Sequence, residues 1–477
     1  MPESPSFIIH WFRRDLRVSD NSSLLAASQK GEKVVPLYVA SDWKKTHAWT
    51  GPGRQQFLCE CLESLAGNLA KLGGRLIIRS GDPVEAIARL LDEGSVSEVH
   101  YNRDPDPHGK KDELHLAEIC EARGVACVGH DDVALHTFDQ TTKDDGTAYR
   151  VYTPYSKRWL KLEKRKPAST PKQLATPEQI ASAPLPTLEN WQLNLPSHLD
   201  LLSGSEAAAR SRLKDAIAKR LPSYAQNRDH PSVPATSRLS QDLRWGTLSI
   251  RKAYAEVHKA HEEARDPDVR ASYHTFIKEL AWRDFYLHLL EAYPEVLQHE
   301  FNADYRGLPW AEPDEKFEAW KEGHTGFPIV DAGMRELRTT GFMHNRVRMI
   351  VAMFLTKDLH LDWRLGEQHF AQHLLDGEIA SNNGGWQWSA GTGADAAPYF
   401  RIQNPWTQSK RFDAKGEYIK RWVPELDAVP AKALHEAPDL VSGHGKSYPQ
   451  PIVNHAQERD KTLSIFKKHL DTVRGKA

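Results

Sequence analysis

The residues Met343-His344-Asn345-Arg346-Val347-Arg348-Met349 set a cation among partners suited to a ligand. Their pattern is helical, so Asn345 and Met349, four apart, share one face with Arg348 beside them. Asn345 offers both a donor and an acceptor, which suits the edge of a base or of an amide-like ring. Methionine fills irregular space beside an aromatic ligand. Asp376 is a natural partner for Arg348, although a helix with one core face and a surface ion pair accounts for the same residues. Asn382-Asn383-Gly384-Gly385-Trp386-Gln387-Trp388 reads as a polar, glycine-rich turn beside two indoles. His369 and His373 stand i, i+4 near Asp376, a spacing able to bind zinc. No further ligand set or general-base motif accompanies them, so no metal is expected. Gly391-Thr392-Gly393-Ala394-Asp395-Ala396 fits GxGxxA but follows no strand and opens no βαβ unit, so it is not a dinucleotide fingerprint. There is no Walker loop.

These residues need a frame. Phe7–Trp11, Val34–Val39, Arg75–Ile78, Glu98–Tyr101 and Val125–Val128 read as short buried strands. Ser22–Gln29, Gln55–Leu72, Pro83–Leu91 and Lys111–Arg123 read as helices between them. This alternation predicts an α/β domain with a parallel sheet over 1–132, Rossmann-like in layout, with ligands at the carboxyl ends of the strands. The stretch 133–204, rich in Pro, Ser, Thr and Ala from Lys164 to Pro196, is expected to be an inter-domain linker. From 205 to 477 strand signals nearly vanish and helical spacing dominates, as in Ile277-Leu280-Ala281-Asp284-Phe285-His288, so an all-α domain is expected.

Two domains suit 477 residues with 40% hydrophobic and 27% charged side chains. The net charge of −1 announces no nucleic-acid partner, but Arg401–Arg421 holds six basic residues against two acidic ones. A neutral protein can bind DNA through one basic face. No apolar run is long enough for a bilayer and Met1–Ser6 is no signal peptide, so no membrane association is expected. The cysteines Cys59, Cys61, Cys120 and Cys127 form no CxxC pair and fit reduced thiols in a cytoplasmic protein. Most of the 14 tryptophans lie after residue 240, and core packing is the ordinary role of each.

Longer motifs carry a resemblance. Trp11-Phe12-Arg13-Arg14-Asp15-Leu16-Arg17 with Asp20-Asn21, Thr236-Ser237-Arg238-Leu239-Ser240, Glu279-Leu280-Ala281-Trp282-Arg283, Gly326–Arg335 and Asn382–Trp388 occur in the order found in the photolyase/cryptochrome family. The chain resembles that family along nearly its whole length, and within it the class I cyclobutane-dimer branch. The resemblance implies a U-shaped FAD in the helical domain, held by Tyr224, Thr236, Ser237, Arg238, Leu239, Ser240, Arg283, Asn345, Arg348, Asp376, Gly377 and Asn382. Asn382 matches the residue facing flavin N5, with Arg348 and Asp376 flanking the ring. Asn345 and Met349 stand where (6-4) enzymes carry two histidines, which implies the cyclobutane pyrimidine dimer in UV-damaged DNA as substrate. Glu279 matches the acid that hydrogen-bonds that dimer, and Trp282 and Trp388 match the aromatic wall beside it. Trp386, Trp363 and Trp310 match the family's inward electron route.

Arg228, Arg346, Arg401, Gln408, Lys410 and Lys415 are implied DNA contacts. Arg54, Asp104, Asp106 and Arg244 resemble an antenna site for an 8-hydroxy-deazaflavin. FMN, methenyltetrahydrofolate or no pigment are the alternatives. The Asn-Glu and Cys-Lys pairs of folate-binding relatives are replaced by His108-Gly109 and Leu297-Gln298. Absence of cysteine after Cys127 excludes the iron–sulfur branch. The expected activity is light-driven dimer reversal by a monomeric deoxyribodipyrimidine photo-lyase. A blue-light sensor and a (6-4) enzyme are the competing readings, the sensor disfavoured by the lack of a long tail after the last helical stretch.

Overall fold

The structure is a computed structural model that describes residues 6–41, 48–396, 398–436, 441 and 448–475. Met1–Pro5, read above as part of a non-targeting start, lie outside them. Contacts divide the chain into two compact units. The first holds Met1–Ser197, Leu202–Pro222 and Ser237–Pro294, and the second His198–Leu201, Ser223–Thr236 and Glu295–Ala477.

In the first unit β1 (Phe7–Phe12), β2 (Lys33–Ala40), β3 (Ile77–Ser80), β4 (Val96–Asn102) and β5 (Ala126–His130) form a parallel sheet ordered β3-β2-β1-β4-β5. The expected α/β alternation is present: α1 (Ser22–Ser28), α2 (Pro52–Lys71), α3 (Pro83–Asp92) and α4 (Pro107–Ala122) connect the strands. All six β1 residues are buried, which explains their unbroken apolar character. Proline at the first turn starts α2, α3 and α4, and Asp82 and Asp106 cap the last two. Those caps are why α4 begins four residues earlier than periodicity alone predicts. Pro36 lies inside β2, yet β3 pairs only from Leu37 onward, so the missing N–H costs no bond on that side.

The first unit continues with α5 (Tyr152–Lys161), α6 (Glu206–Asp215), α7 (Ser240–Trp245), α8 (Ile250–Glu263) and α9 (Pro267–Ala292). The segment expected as a linker is therefore partly helical and well anchored. Tyr155 and Trp159, four apart, bury one face of α5. Beyond it, Ala183 N bonds to Ile78 O, Ser182 Oγ accepts from Ile78 N, and Val34 N bonds to Ala175 O. This irregular stretch covers the β3 edge, a place where exposed strands invite aggregation.

The second unit is helical: α10 (Glu315–Glu322), α11 (Pro328–Thr340), α12 (Asn345–Met353), α13 (Trp363–His373), α14 (Ile379–Ala390), α15 (Pro405–Phe412), α16 (Glu417–Trp422), α17 (Ala431–Glu436) and α18 (His455–Val473). One apolar cluster holds Trp320, Trp363 and Trp386, with Trp310 packed against it. The expected turn at Asn382–Trp388 is instead the middle of α14. Two internal glycines cost about 1 kcal/mol each. Tertiary anchors outweigh them: Asn383 and Gln387 both donate to Val296 O, at 3.1 and 2.9 Å, and Trp386 is buried. Gly391, at φ 80°, ends α14, and Thr392 N and Gly393 N return to Gln387 O. The GxGxxA match is this helix stop. Among the described residues no helix is long and apolar enough to cross a membrane.

The first unit is tied by a buried polar knot at the loop after β1. Arg251 reaches Asp20 Oδ1 at 2.9 Å and Asp132 Oδ1 at 2.6 Å. Arg17 reaches Asp132 Oδ2 at 2.6 Å and Gly246 O at 3.1 Å. Burial alone pushes the Asp132 carboxyl up, but the two guanidiniums outweigh it and hold the group well below the usual range. Removing one partner strands buried charge, at a cost of about 3–5 kcal/mol. Asp132→Asn is expected to lose stability of that order in urea unfolding. It should also blunt the acid limb, because a depressed carboxylate adds stability above its unfolded value and loses it as pH falls.

Candidate active site

In the second unit, α12 begins on His344, whose ring accepts from Arg346 N at 3.2 Å. That start leaves Asn345 exposed on the first turn and Met349 half-buried one turn on, as their spacing predicts. Arg348 Nη2 donates to both Asp376 oxygens, at 3.2 and 2.9 Å, and its Nε to Met343 O at 2.7 Å. Asp376 is 8% exposed, so this is an inward pair rather than a surface one. Asn382 N bonds to Glu378 O at 2.8 Å, and its amide donates to Glu367 O at 2.9 Å, which fixes the amide's orientation. His373 Nδ1 donates to His369 O, and Asp376 is held by Arg348.

The indoles are set individually. Trp386 packs on Phe370 and Trp320, with ring centroids 4.9 and 6.1 Å away. A Cβ on Gly366 would sit 2.1 Å from its ring, so only glycine admits it. Trp363 donates to Glu300 at 3.3 Å, and Arg364 both covers Trp363 and pairs with Glu300 at 3.2 Å. Trp310 lies against Phe466 at the margin of the cluster, and Trp388 is half-buried. Tyr224 is buried beneath Arg228.

The basic candidates differ in freedom. Arg346 pairs with Asp229 at 2.8 Å and lies over Phe412. Lys410 pairs with Glu436, and Lys415 reaches Glu417 only at 3.9 Å. Arg401 and Arg411 are exposed and Gln408 half-buried.

In the first unit, Glu279, Trp282 and Arg283 ride on α9. Trp282 stacks on Tyr152 with centroids 3.6 Å apart, and Tyr152 Oη donates to Lys278 O. Arg283 donates to Val133 O and Leu243 O; burial, then Arg14, pushes its pKa down to about 10. Thr236 closes a segment of the second unit, while Ser237–Leu239, with Arg238 at φ 57°, lead into α7 at Ser240 in the first. Arg54 and Arg244 both face the Trp245 ring, and Arg14 Nη1 donates to Asp104 Oδ1 at 3.0 Å. Burial, then Arg14 and Arg54, push Arg244 well below its usual value, while Asp104 and Asp106 pull it up. Asp106 also caps α4.

Two family descriptions match: "DNA photolyase" over residues 8–176 and "FAD binding domain of DNA photolyase" over residues 276–468. The chain is 40% identical to a deoxyribodipyrimidine photo-lyase of Synechococcus, covering 96% of each chain. The chain belongs to the DNA photolyase family. Its fold is similar to that of a class III photolyase from Agrobacterium tumefaciens (TM-score 0.90, 36% identity, 98% of each chain). It is also similar to an archaeal photolyase from Sulfolobus tokodaii described with two FAD molecules (TM-score 0.85, 31% identity, 97% of this chain and 99% of that one).

The matched domain of this photolyase-family chain is an FAD-binding one, and the residues present fit that group. The hydroxyls of Thr236, Ser237 and Ser240 suit phosphates and a ribityl chain. The inward Arg348–Asp376 pair and the oriented Asn382 amide suit a flavin ring that carries negative charge when reduced. The sequence reading missed two groups. Arg14, in a family motif, joins the Arg54–Arg244 cluster; its adjacency to Asp104 across the sheet is invisible in sequence. Glu367 was the one acid on the buried face of α13, four residues after Trp363, a signal that could have found it. Burial pushes its carboxyl up to about 8 against its hydrogen bond to Asn383. A raised carboxyl gives stability that is full below its unfolded value and lost as pH rises through the folded one. Wild-type thermal stability should therefore fall between about pH 4.5 and about pH 8 more than that of Glu367→Gln.

Proposed function

We propose that this chain is a light-driven enzyme that reverses cyclobutane pyrimidine dimers in DNA. The observation that carries the substrate is Asn345 and Met349, neither of them a histidine, on one face of α12 beside the Arg348–Asp376 pair. The identity of the Synechococcus relative supports the reaction. Reduced FAD, when bound, supplies the electron that light drives onto the dimer.

The chain's own residues do the rest. Asn345 presents donor and acceptor to the base edges, and Met349 packs beside them. Glu279 hydrogen-bonds the dimer as negative charge arrives, an interaction stronger in the activated state than in the ground state. Trp282, braced flat by Tyr152, and Trp388 give the flipped lesion aromatic faces. Arg348 would supply positive charge to a reduced flavin ring, and Asn382, an amide, would give it no proton. Trp386, Trp363 and Trp310 carry electrons inward to restore the reduced state. Arg228, Arg346, Arg401, Gln408, Lys410 and Lys415 contact phosphates, giving affinity without sequence choice. The antenna pigment is of the 8-hydroxy-deazaflavin type, held by Arg54, Asp104, Asp106 and Arg244. With Arg14 beside them, three arginines against Asp104 and Asp106 favour an anionic occupant, and the two FAD molecules of the Sulfolobus relative keep a flavin as the alternative. The enzyme acts as a cytoplasmic monomer.

The test is illumination of two duplexes, one holding a cyclobutane dimer and one a (6-4) product, with dark controls and product analysis. Only the dimer should be reversed, and only in light. Reversal in darkness, or of the (6-4) product, contradicts the reading. Glu279→Ala should lower repair yield more than binding to dimer-containing DNA.

A further inference from the structure

Trp310 and His360 are fastened to each other. Ala311 N donates to His360 O at 2.8 Å, and Ala311 pairs with Leu361 in a parallel bridge. His360 sits at φ 57°, a left-handed conformation that costs a non-glycine residue about 1–2 kcal/mol. Strain of this kind persists where surrounding structure enforces it, and it gathers at working sites. The Trp310 Nε1–H is buried and has no acceptor among the described residues. Trp310, Thr356, His360 and Thr462 together border a cavity of about 10 Å³. That is the room of a single water, with polar groups to hold it.

The imidazole is prepared to accept a proton. Burial keeps His360 below its ordinary value, against Glu458 and with Lys461 and Lys316, so it is neutral at pH 7. Its Nε2 lies 2.6 Å from Glu458 Oε2, and Glu458, kept ionised by that bond, can only accept. The ring proton is therefore on Nε2 and Nδ1 is bare. Thr462 has one hydroxyl proton, given to Lys357 O at 2.5 Å rather than to Nδ1 at 3.3 Å. Nδ1 thus keeps a lone pair, on a residue that borders the cavity, and Glu458 is partly open to solvent.

We infer that His360 is the proton acceptor for Trp310, reached through one water in this cavity. The inference rests on the electron route proposed above, in which a photo-excited oxidised flavin is the one-electron oxidant. Trp310 passes one electron to the Trp363 radical cation, which returns to neutral indole. The Trp310 N–H bond then breaks heterolytically. Its proton goes to the water, which passes one of its own to Nδ1, leaving a neutral Trp310 radical and an imidazolium paired with Glu458. Back transfer of the electron now requires the proton to return, so the charge separation lasts. Trp386 Nε1 is also buried without an acceptor among the described residues. Trp363 donates to Glu300, whose carboxylate is already paired with Arg364.

The test is flash photolysis of the FAD-loaded protein in its oxidised form, following conversion of the tryptophan cation radical to the neutral radical. His360→Asn keeps a residue tolerant of left-handed backbone but removes the base. It should slow the conversion by about 10²-fold or more, the usual worth of a positioned proton acceptor. Glu458→Gln, a milder change, should slow it in the same direction. Wild-type conversion in both variants, or slowing by Glu300→Gln instead, overturns the relay. If Trp310→Phe leaves the yield and lifetime of the radical unchanged, the electron route itself is wrong and the relay falls with it.

Discussion

The second unit's proposed functional residues depend on one inward ion pair. Arg348 gives both Asp376 oxygens a donor from one nitrogen and spends its Nε on Met343 O. Removing either partner would strand a largely buried charge, so the pair locks α12 against the turn before α14. That lock sets the face carrying Asn345 and Met349. It also sets the chain direction at Glu378, whose carbonyl receives Asn382 N and so starts the helix that carries Trp386 and Trp388. A single electrostatic contact therefore aligns the residues proposed to read the lesion with those proposed to touch the flavin and supply electrons.

Around this pair, buried polar groups are distributed by task. In the first unit, Asp20, Asp132, Arg17 and Arg251 neutralise one another, and their work is structural. Near Trp245, Arg14, Arg54 and Arg244 stand against Asp104 and Asp106, and burial, then the neighbouring arginines, hold Arg244 below its usual value. Glu367 lacks a cation close enough to keep it charged and stays protonated at neutral pH. Balanced knots hold the fold, while unbalanced ones mark places where an ionic or redox partner changes the local charge. The tryptophans follow the same division. Trp320 and Trp159 spend their indole N–H on Val351 O and Asp284, whereas Trp386 and Trp310 have no such acceptor among the described residues.

Much of this was legible in the chain. The α/β alternation was visible because parallel strands buried on both faces read as unbroken apolar runs, as in Phe7–Phe12. The Asn345–Arg348–Met349 face followed from helical spacing alone. Other features depend on partners distant in sequence. Asn382–Trp388 looked like a turn because local propensity counts two glycines, while the anchor of Asn383 and Gln387 is Val296, almost ninety residues earlier. The span 133–204 looked like a linker because its Pro and Ser content hides two facts: Tyr155 and Trp159 bury a helix face, and Ser182 completes an edge strand. Arg14 and Glu367 were passed over because burial and neighbouring charge, rather than residue type, give them their character.

The central claim is that light absorbed by a bound flavin drives dimer reversal. The most direct measurement is an action spectrum of dimer reversal, taken wavelength by wavelength against the absorption spectrum of the same preparation. The account predicts that repair per incident photon follows the absorption of the reduced flavin together with any antenna pigment, and falls to zero where neither absorbs. Repair that persists in darkness, or that follows no bound chromophore, would contradict it.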